Sequence, residues 1–314
     1  MTSPPLFADR RALIAFATLC CFLWASAVPG VKLGYALLEI APSDTPSLLL
    51  FAGLRFCLAG LMLLIYAIAT GRRVLLAPRG FGEVALLGLG QTTAQYICYY
   101  VGLANTTGVK TAIMSSTLTF FSVLIAHLLY VDDRLNARRA IGCLIGFAGV
   151  IAVNLGAAGL FDFHFTLLGE GMVVLSAFAG SAAAIYGRHL SHRMDATVMT
   201  GWQLLLGGLV LSAMGLIGGG HFAPIGPSAA LLIVYLAGVS AVAFALWSLL
   251  LRHNPVSSVA VFNFEIPVFG AILAALILGE HVLEWKYLAA LGLVSFGIYL
   301  VTTRGRVVPA TQQP

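Results

Sequence analysis

Residues 258–278 read SVAVFNFEIPVFGAILAALIL, an apolar run interrupted by one amide, Asn263, and one carboxylate, Glu265. A helix of this length crosses the ~30 Å hydrocarbon core of a bilayer. The rest of the chain has the same character, because 60% of its 314 residues are hydrophobic and only 9% are charged. Soluble domains carry roughly 25% charged residues. The sequence therefore predicts a membrane protein, in which a carboxylate inside a span needs an explanation.

Apolar runs of similar length recur along the chain, separated by short polar breaks. We predict an all-α membrane protein with ten transmembrane helices, at residues 13–36, 47–69, 83–103, 110–130, 139–155, 167–187, 197–217, 228–251, 258–278 and 285–302. Long continuous runs favour helices over barrel strands, which show only a weak alternation over about ten residues. One alternative stays open: Arg10-Arg11 and Ala25-Ser26-Ala27 match a cleavable signal peptide, whose removal would leave nine spans.

Basic residues are distributed unevenly between the two ends of the predicted helices. If the N-terminus is cytoplasmic, thirteen arginines fall on the cytoplasmic side, and only Lys110, Lys286 and, at the end of the first span, Lys32 fall on the other. Cytoplasmic loops are usually the ones rich in lysine and arginine. We therefore predict that both termini are cytoplasmic, and that the net charge of +5 reflects topology and not a nucleic-acid partner.

The two halves of the chain resemble each other. At an offset of 148 residues, residues 51–155 align without a gap, and matched pairs such as Gly60 with Gly208 and Phe121 with Phe269 persist through four spans. We therefore predict two five-helix repeats, at residues 1–155 and 156–314. Because five is odd, the second repeat enters the membrane from the opposite side. Inverted repeats of this kind are the architecture of many secondary transporters, with the binding site between the halves.

Short motifs follow the same order along the chain: Leu23-Trp24-Ala25-Ser26, then Leu54-Arg55-Phe56, then Ile266-Pro267-Val268-Phe269 and Leu278-Gly279-Glu280. In these motifs the chain resembles the drug/metabolite transporter (DMT) superfamily, and specifically its EamA-type ten-helix exporters. The resemblance covers residues 13–302 and implies a multi-pass exporter of the bacterial inner (plasma) membrane. The chain departs from the family pattern in having Thr119 opposite Pro267, and in carrying its acidic residue, Glu265, one position early.

Glu265 is a candidate coupling residue. A carboxylate inside a span costs roughly 2.5–3.5 kcal/mol on insertion scales, so it must face protein or water. It is expected either to exchange protons during transport, to bind a substrate amine, or to tie helices together. Pro267 is a candidate gating point, since it lacks the N–H that would bond the carbonyl of Asn263.

Asn263 and Glu265 are two residues apart, which is about 200° around a helix, so they cannot face one cavity together. Asn263 corresponds to Ser115 at the 148-residue offset, and Ser115 belongs to a polar stripe of the fourth span. The symmetry favours Asn263 as the cavity residue, with Glu265 facing another helix or a lateral crevice.

The third span carries the clearest polar and aromatic stripe, formed by Thr92, Gln95, Tyr96 and Tyr99 with Gln91 beside it. Together with Trp247, Ser115 and Asn263, these are the predicted substrate-binding residues. Aromatic walls with amides suit an organic solute better than a dehydrated metal ion. Arg55, the other charge inside a span, is interpreted either as a carboxylate clamp or, because an arginine here is typical of the family, as a helix tether.

Other function classes find no support in the sequence. It contains no nucleotide-binding, HExxH or GxSxG motif, and its five cysteines all fall in apolar segments, so no enzyme activity, cofactor or metal is expected. Gly142 and Gly146 form a GxxxG pair that leaves a monomer or a weak homodimer open. The prediction is a secondary transporter in the lipid bilayer that exports a small organic metabolite, such as an amino acid, with proton coupling left open. Proton-coupled multidrug or organic-cation efflux is the alternative.

Overall fold

A computed structural model describes residues 9–129, 137–152, 155–156, 159–191, 193–254, 259, 261–280 and 284–302. In chain order the helices are α1 (Arg10–Leu37), α2 (Thr45–Ala69), α3 (Pro78–Leu87), α4 (Gln95–Ala104), α5 (Gly108–Ser115), α6 (Thr117–Leu129), α7 (Ala137–Ala152), α8 (Met172–Ser191), α9 (Ala196–Ile217), α10 (Pro227–His253), α11 (Glu265–Leu278) and α12 (Trp285–Thr302). Two π-helical segments join α3 to α4 and precede α8, at Gly88–Ala94 and Leu167–Gly171. A 3-10 turn, Val261–Phe264, precedes α11.

Within the described residues, six helical stretches are long and apolar enough to cross a membrane, at Arg11–Leu37, Thr45–Ala69, Gly108–Ile125, Leu167–Ser191, Ala196–Ile217 and Pro227–Leu250. Glu265–Leu278 and Trp285–Leu300 are shorter apolar helices. The chain is thus a helical multi-pass membrane protein. The count of ten crossings stays a prediction, and three of the arginines predicted to be cytoplasmic, Arg134, Arg304 and Arg306, lie outside the described residues.

The predicted fifth span was drawn too long at its end. Helix α7 is described as far as Ala152, and residue 155 belongs to a small antiparallel hairpin of β1 (Leu155–Gly156) and β2 (Gly159–Phe163). Glycines at 156 and 159 disfavour a continued helix, since glycine loses the most backbone freedom in one.

Helices α2 and α9 pack against each other in antiparallel directions along their whole length. A methyl group added at Gly53 would lie 2.7 Å from the carbonyl oxygen of Gly208, and one at Gly60 would lie 2.7 Å from that of Gly201. At the 148-residue offset Gly53 corresponds to Gly201, and Gly60 to Gly208. The contact is therefore the same seen from either helix, which is the pattern that a two-fold relation produces.

Helices α7 and α12 repeat this arrangement. A methyl group at Gly149 would lie 3.0 Å from the carbonyl oxygen of Ala290, and one at its counterpart Gly297 would lie 2.6 Å from that of Gly142. The GxxxG pair of Gly142 and Gly146 thus packs on α12 of the same chain, so it does not form a free face for a second copy. The oligomeric state, a monomer or a weak homodimer, stays a prediction.

The two larger hydrophobic clusters hold most of the bundle together. One joins α1, α2, α4, α9 and α10, and includes the fully buried Phe51, Phe56 and Tyr100. The other joins α5, α6, α7, α11 and α12 around residues such as Phe120 and Val294. Each core mixes helices from both halves of the sequence, so neither half is a separate packing unit.

Candidate functional site

A cavity of about 260 Å³ is lined by residues from both halves of the chain. Arg55 and the aromatic residues Tyr96 and Tyr99 lie in its wall, and so do Arg188 and Ser191 at the last turn of α8. Since Arg188 is exposed, the cavity reaches the surface where α8 ends. We call this end of the bundle, marked by Arg188 and Ser191, the open end.

Aromatic side chains form one wall of the cavity. The ring of Trp24 lies 5.0 Å from that of Trp247 and 5.6 Å from that of Phe244. Tyr96 and Tyr99 contact each other at 5.8 Å between ring centroids. All the ring pairs meet edge to face, which is a favoured geometry of aromatic pairs. These five side chains, which we call the aromatic wall, present flat apolar surface to whatever occupies the cavity.

The third span contributes Gln91, Gln95, Tyr96 and Tyr99 to the lining, but it turns Thr92 away from the cavity. Thr92 is fully buried and faces α9, where its hydroxyl is 3.5 Å from Nε2 of Gln203. The reason is the π-helical segment Gly88–Ala94. A π turn holds more residues than an α turn, so α-helical spacing does not apply to positions before Gln95. Thr92, which is among the predicted substrate-binding residues, therefore lies outside the cavity lining and packs against α9.

Helix geometry changes at equivalent positions of the two halves beside the cavity. In the fourth span, the N–H of Ser116 bonds to the carbonyl of Ile113 and the N–H of Thr119 to the carbonyl of Ser116, so the helix tightens between α5 and α6 while Ser116 keeps right-handed helical dihedrals. The ninth span changes from 3-10 to α-helix between Phe264 and Glu265. Positions 116 and 264 are 148 residues apart, so these tight turns correspond in the two halves. Ser115, Ser116 and Asn263 line the cavity at these turns.

Arg55 lies at the deep end of the cavity and is only 3% exposed. Its Nε donates to the carbonyl oxygen of Leu236 and to the hydroxyl of Ser240, both at 3.2 Å. Nη1 donates to the hydroxyl of Tyr100 at 3.0 Å, and Nη2 to Ser240 at 2.9 Å. Every one of these acceptors is neutral.

Glu265 does not line the cavity but faces α1. The hydroxyl of Thr18 donates to its Oε1 at 3.2 Å, while its Oε2 is buried and has no hydrogen-bond partner among the described residues. Asn263 therefore lies in the cavity wall and Glu265 in a separate lateral site. Pro267 is buried in the first turn of α11, where its missing N–H leaves no α-helical bond unmade.

Opposite the open end, acidic and basic side chains from several helices meet. Glu280 accepts from the backbone N–H groups of Gly108 and Val109, each at 2.8 Å, and lies 3.8 Å from Nζ of Lys32. Lys110 pairs with Glu170 at 3.1 Å. Glu170 opens the segment that leads into α8, whereas Arg188 is near the end of that helix. We call this group, Lys32, Lys110, Glu170 and Glu280, the closed end.

Several lining residues were not predicted. Small side chains of α8 cover one side of the cavity at spacings of three and four, namely Ser176, Gly180, Ala184, Gly187 and Ser191. This stripe was readable from the sequence as one helical face. Trp24 entered the sequence prediction only as part of a motif, yet it lies in the lining, and so does Gln203, which corresponds to Arg55 at the 148-residue offset.

Metal ligands do not gather anywhere in the described part of the chain, where no three His, Cys, Asp or Glu side chains come together. All five cysteines are free thiols. The cavity chemistry is therefore that of hydrogen bonds, aromatic faces and the arginine charge.

Comparisons with known proteins agree with this architecture. The profile of the EamA-like transporter family matches residues 11–155 and again residues 167–303. An uncharacterized transporter of Archaeoglobus fulgidus is 26% identical over 91% of this chain and 96% of its own length. The Bacillus subtilis uncharacterized transporter YetK is 26% identical over 81% of this chain and 78% of its own. One solved crystal structure shares the fold with a TM-score of 0.69, covering 94% of this chain and 97% of its own at 21% identity.

Proposed function

Because the chain belongs to the EamA-like transporter family, we propose that it is a secondary transporter that exports a small organic metabolite by alternating access. The observation that carries this proposal is one cavity lined by residues of both halves, at which the tight helical turns at Ser116 and at the Phe264–Glu265 junction meet. A site between two like halves is the arrangement that alternating access uses.

The antiparallel, self-complementary contacts of α2 with α9 and of α7 with α12 support the inverted repeat. The two matches of one family profile support two repeats near residues 1–155 and 156–314. Two like halves that exchange conformations would open the cavity alternately to either side. The present structure is one such state, with access at the open end.

The orientation follows from the basic residues at the open end. Arg72 donates to Asp195 at 3.1 Å, and Arg193 lies 3.4 Å from Glu83, so both arginines are placed at the helix ends that surround Arg188. Under the positive-inside rule this end is cytoplasmic. The cavity then loads from the cytoplasm, as export from a cell across its inner membrane requires.

A small metabolite suits the cavity better than a drug-sized compound. Its volume of about 260 Å³ is below the ~300–1,000 Å³ usual for drug-sized ligands. The aromatic wall would cover the apolar part of such a solute, while the amides of Gln91 and Gln95 would bind its polar groups.

Proton coupling is assigned to Glu265. The carboxyl has one oxygen bonded to Thr18 and the other buried without a partner, so protonation would remove an uncompensated charge. Glu265 is the first residue of α11 and directly follows the 3-10 turn, so a change in its protonation can alter the geometry of the ninth span. A direct bond between Glu265 and a substrate amine is disfavoured because the side chain is outside the cavity.

The test is transport in proteoliposomes with a panel of labelled amino acids, with and without a pH gradient. We expect the wild-type protein to exchange at least one member and to accumulate it when a gradient is imposed. Glu265→Gln should abolish accumulation driven by the gradient while counterflow exchange continues, because glutamine keeps the shape and cannot titrate.

Glu284→Gln is the matched control, since Glu284 is an exposed carboxylate away from the cavity, and it should behave as wild type. If Glu265→Gln keeps the wild-type pH dependence, the carboxyl is only a helix tie. If the wild-type protein shows no exchange of any panel member, transport of this solute class is wrong.

A further inference from the structure

We propose that the transported solute carries a carboxylate, alone or within a zwitterion, and that this carboxylate binds Arg55. The inference rests on the proposed function, whose site it specifies. It chooses between the two solute classes that the sequence left open, because it favours organic acids and amino acids over organic cations.

The first step concerns the hydrogen bonds of Arg55. A guanidinium has five N–H donors, one on Nε and two on each Nη. The Nε donor is shared between Leu236 and Ser240, and each Nη makes one bond, to Tyr100 and to Ser240 respectively. Among the described residues, one N–H on each Nη therefore has no acceptor. Two unpaired donors on neighbouring nitrogens are the number that a bidentate carboxylate requires.

The second step concerns charge. The charged side chains that line the cavity are Arg55 and Arg188, and no aspartate or glutamate of the described residues belongs to the lining. Arg55 is only 3% exposed, and the groups that accept its hydrogen bonds are all neutral. A buried charge is costly unless an opposite charge compensates it. An anionic group on the solute would supply the missing partner each time the site is filled.

The third step concerns the two halves. Gln203 corresponds to Arg55 at the 148-residue offset, and it also lines the cavity, but it is neutral. The positive charge thus lies on one side of a site that is otherwise built from similar halves. A solute with one charged end would bind in one orientation, with its carboxylate at Arg55 and its apolar part on the aromatic wall.

Organic cations fit this lining poorly. The aromatic wall can attract a cation through its ring faces, at about 0.5–2 kcal/mol, but Arg55 and Arg188 repel it. The ammonium of a zwitterion is accommodated differently, because the side-chain oxygens of Gln91 and Gln95 can accept from it while its carboxylate compensates Arg55.

The experiment measures binding by tryptophan fluorescence. Two of the four tryptophans, Trp24 and Trp247, lie in the cavity, so Trp202→Phe and Trp285→Phe give a protein whose emission reports on it. The probes are matched pairs, 4-methylpentanoate with 4-methylpentanamide and L-leucine with L-leucinamide, together with tetraphenylphosphonium. We expect each carboxylate to bind roughly ten- to a hundredfold more tightly than its amide, the range for a bond between charged groups.

Arg55→Gln should lower this carboxylate-to-amide ratio of binding constants to near one. The ratio does not depend on how much of the variant is folded. Arg55→Lys keeps the charge without the fork and should give an intermediate ratio, so it carries the test if the glutamine variant does not insert. Arg79→Gln removes an exposed arginine of α3 that lies outside the cavity lining, and it should leave the ratio within about twofold of wild type.

Equal binding of carboxylates and amides, or a ratio unchanged in Arg55→Gln, would show that Arg55 is a helix tether and overturn the inference. Tighter binding of tetraphenylphosphonium than of both carboxylates would also overturn it, while leaving transport intact. Carboxylate binding without any exchange in proteoliposomes would support the anion site and refute the proposed transport. Failure of every probe to quench would remove the inference for this class of solute.

Discussion

The closed and open ends of the bundle use the same kinds of side chain in opposite ways. At the closed end, Lys110 and Glu170 pair with each other, and their side chains are 14% and 5% exposed. Around the open end, Arg79 and Arg193 pair with Glu83, and the arginine side chains are 84% and 48% exposed. Ion pairs that water can reach contribute little, whereas breaking a buried pair leaves a charge without compensation.

This difference indicates that the buried ion pairs of the closed end stabilise the present conformation more than the exposed pairs of the open end. The closed-end groups join α1, the start of α5, the segment before α8 and the residues after α11, which come from both halves. Of the open-end pairs, Arg79–Glu83 lies within α3, and Arg193–Glu83 joins α3 to the residue that follows α8 by two positions. In an alternating cycle, opening the closed end would therefore require separating buried charged groups. At the open end, the corresponding ion pairs are exposed to solvent.

The largest effect is expected from Glu170→Gln. Its carboxylate accepts from the hydroxyl of Thr106 at 2.6 Å, from Lys110 at 3.1 Å, and from both the backbone and the hydroxyl of Thr166 at 2.9 Å. Oε1 accepts from Thr106 and Lys110 and Oε2 from Thr166, so the single acceptor oxygen of a glutamine can serve one of these two sets, and the charge opposite Lys110 is lost. We expect the free energy of unfolding in detergent to fall by about 3 kcal/mol, as for a broken buried pair.

Glu284→Gln is the control for this measurement, because it neutralises a half-exposed carboxylate paired with Lys286. It should change stability by less than about 1 kcal/mol. A Glu170→Gln protein as stable as this control would mean that burial does not distinguish the two ends.

A smaller loss is expected from Glu280→Gln. The carboxylate caps the N-terminus of α5 through Gly108 and Val109, and it is 3.8 Å from Lys32, a distance at which the charges attract without a tight bond. Glutamine can still accept one of the two N–H bonds. Losing the other, together with the charge at a helix N-terminus, should cost about 1–2 kcal/mol in the same unfolding assay. A loss larger than that of Glu170→Gln would reverse the ranking within the closed end.

The sequence predicted more of the cavity than of the closed end, for a physical reason. Tyr96, Tyr99 and Gln95 follow each other at α-helical spacing in one span, and the repeat offset linked Asn263 to Ser115. Helical periodicity is a local pattern, and the internal repeat is found by comparing the chain with itself, so both can be recognised from the sequence alone. The partnership of Glu280 with Gly108 joins residues far apart in the chain and has no periodic signature.

The placement of Thr92 marks a second limit. The π-helical segment around it is a local departure from the α-helical repeat, and nothing in the apolar pattern of the third span announces it. The number of hydrogen bonds of Arg55 was likewise unpredictable, because its acceptors come from α4 and α10. The sequence places Arg55 inside a span, but the number of its unpaired N–H donors depends on how α2, α4 and α10 pack together.

The smallest effect is expected from Glu83→Gln, which tests the open end. This substitution removes both ion pairs of Glu83, to Arg79 within α3 and to Arg193 beyond α8. Both of these distances are 3.4 Å, only slightly longer than the 3.1 Å of the Lys110–Glu170 pair, so geometry alone would predict a similar loss of stability. Solvent makes the difference, because water screens the exposed arginines and solvates them fully after the change. We expect the free energy of unfolding to fall by less than about 1 kcal/mol, measured beside Glu170→Gln at low and at high salt. A loss near 3 kcal/mol that persists at high salt would show that the open end is held as firmly as the closed one, and the proposed asymmetry between the two ends would then be wrong.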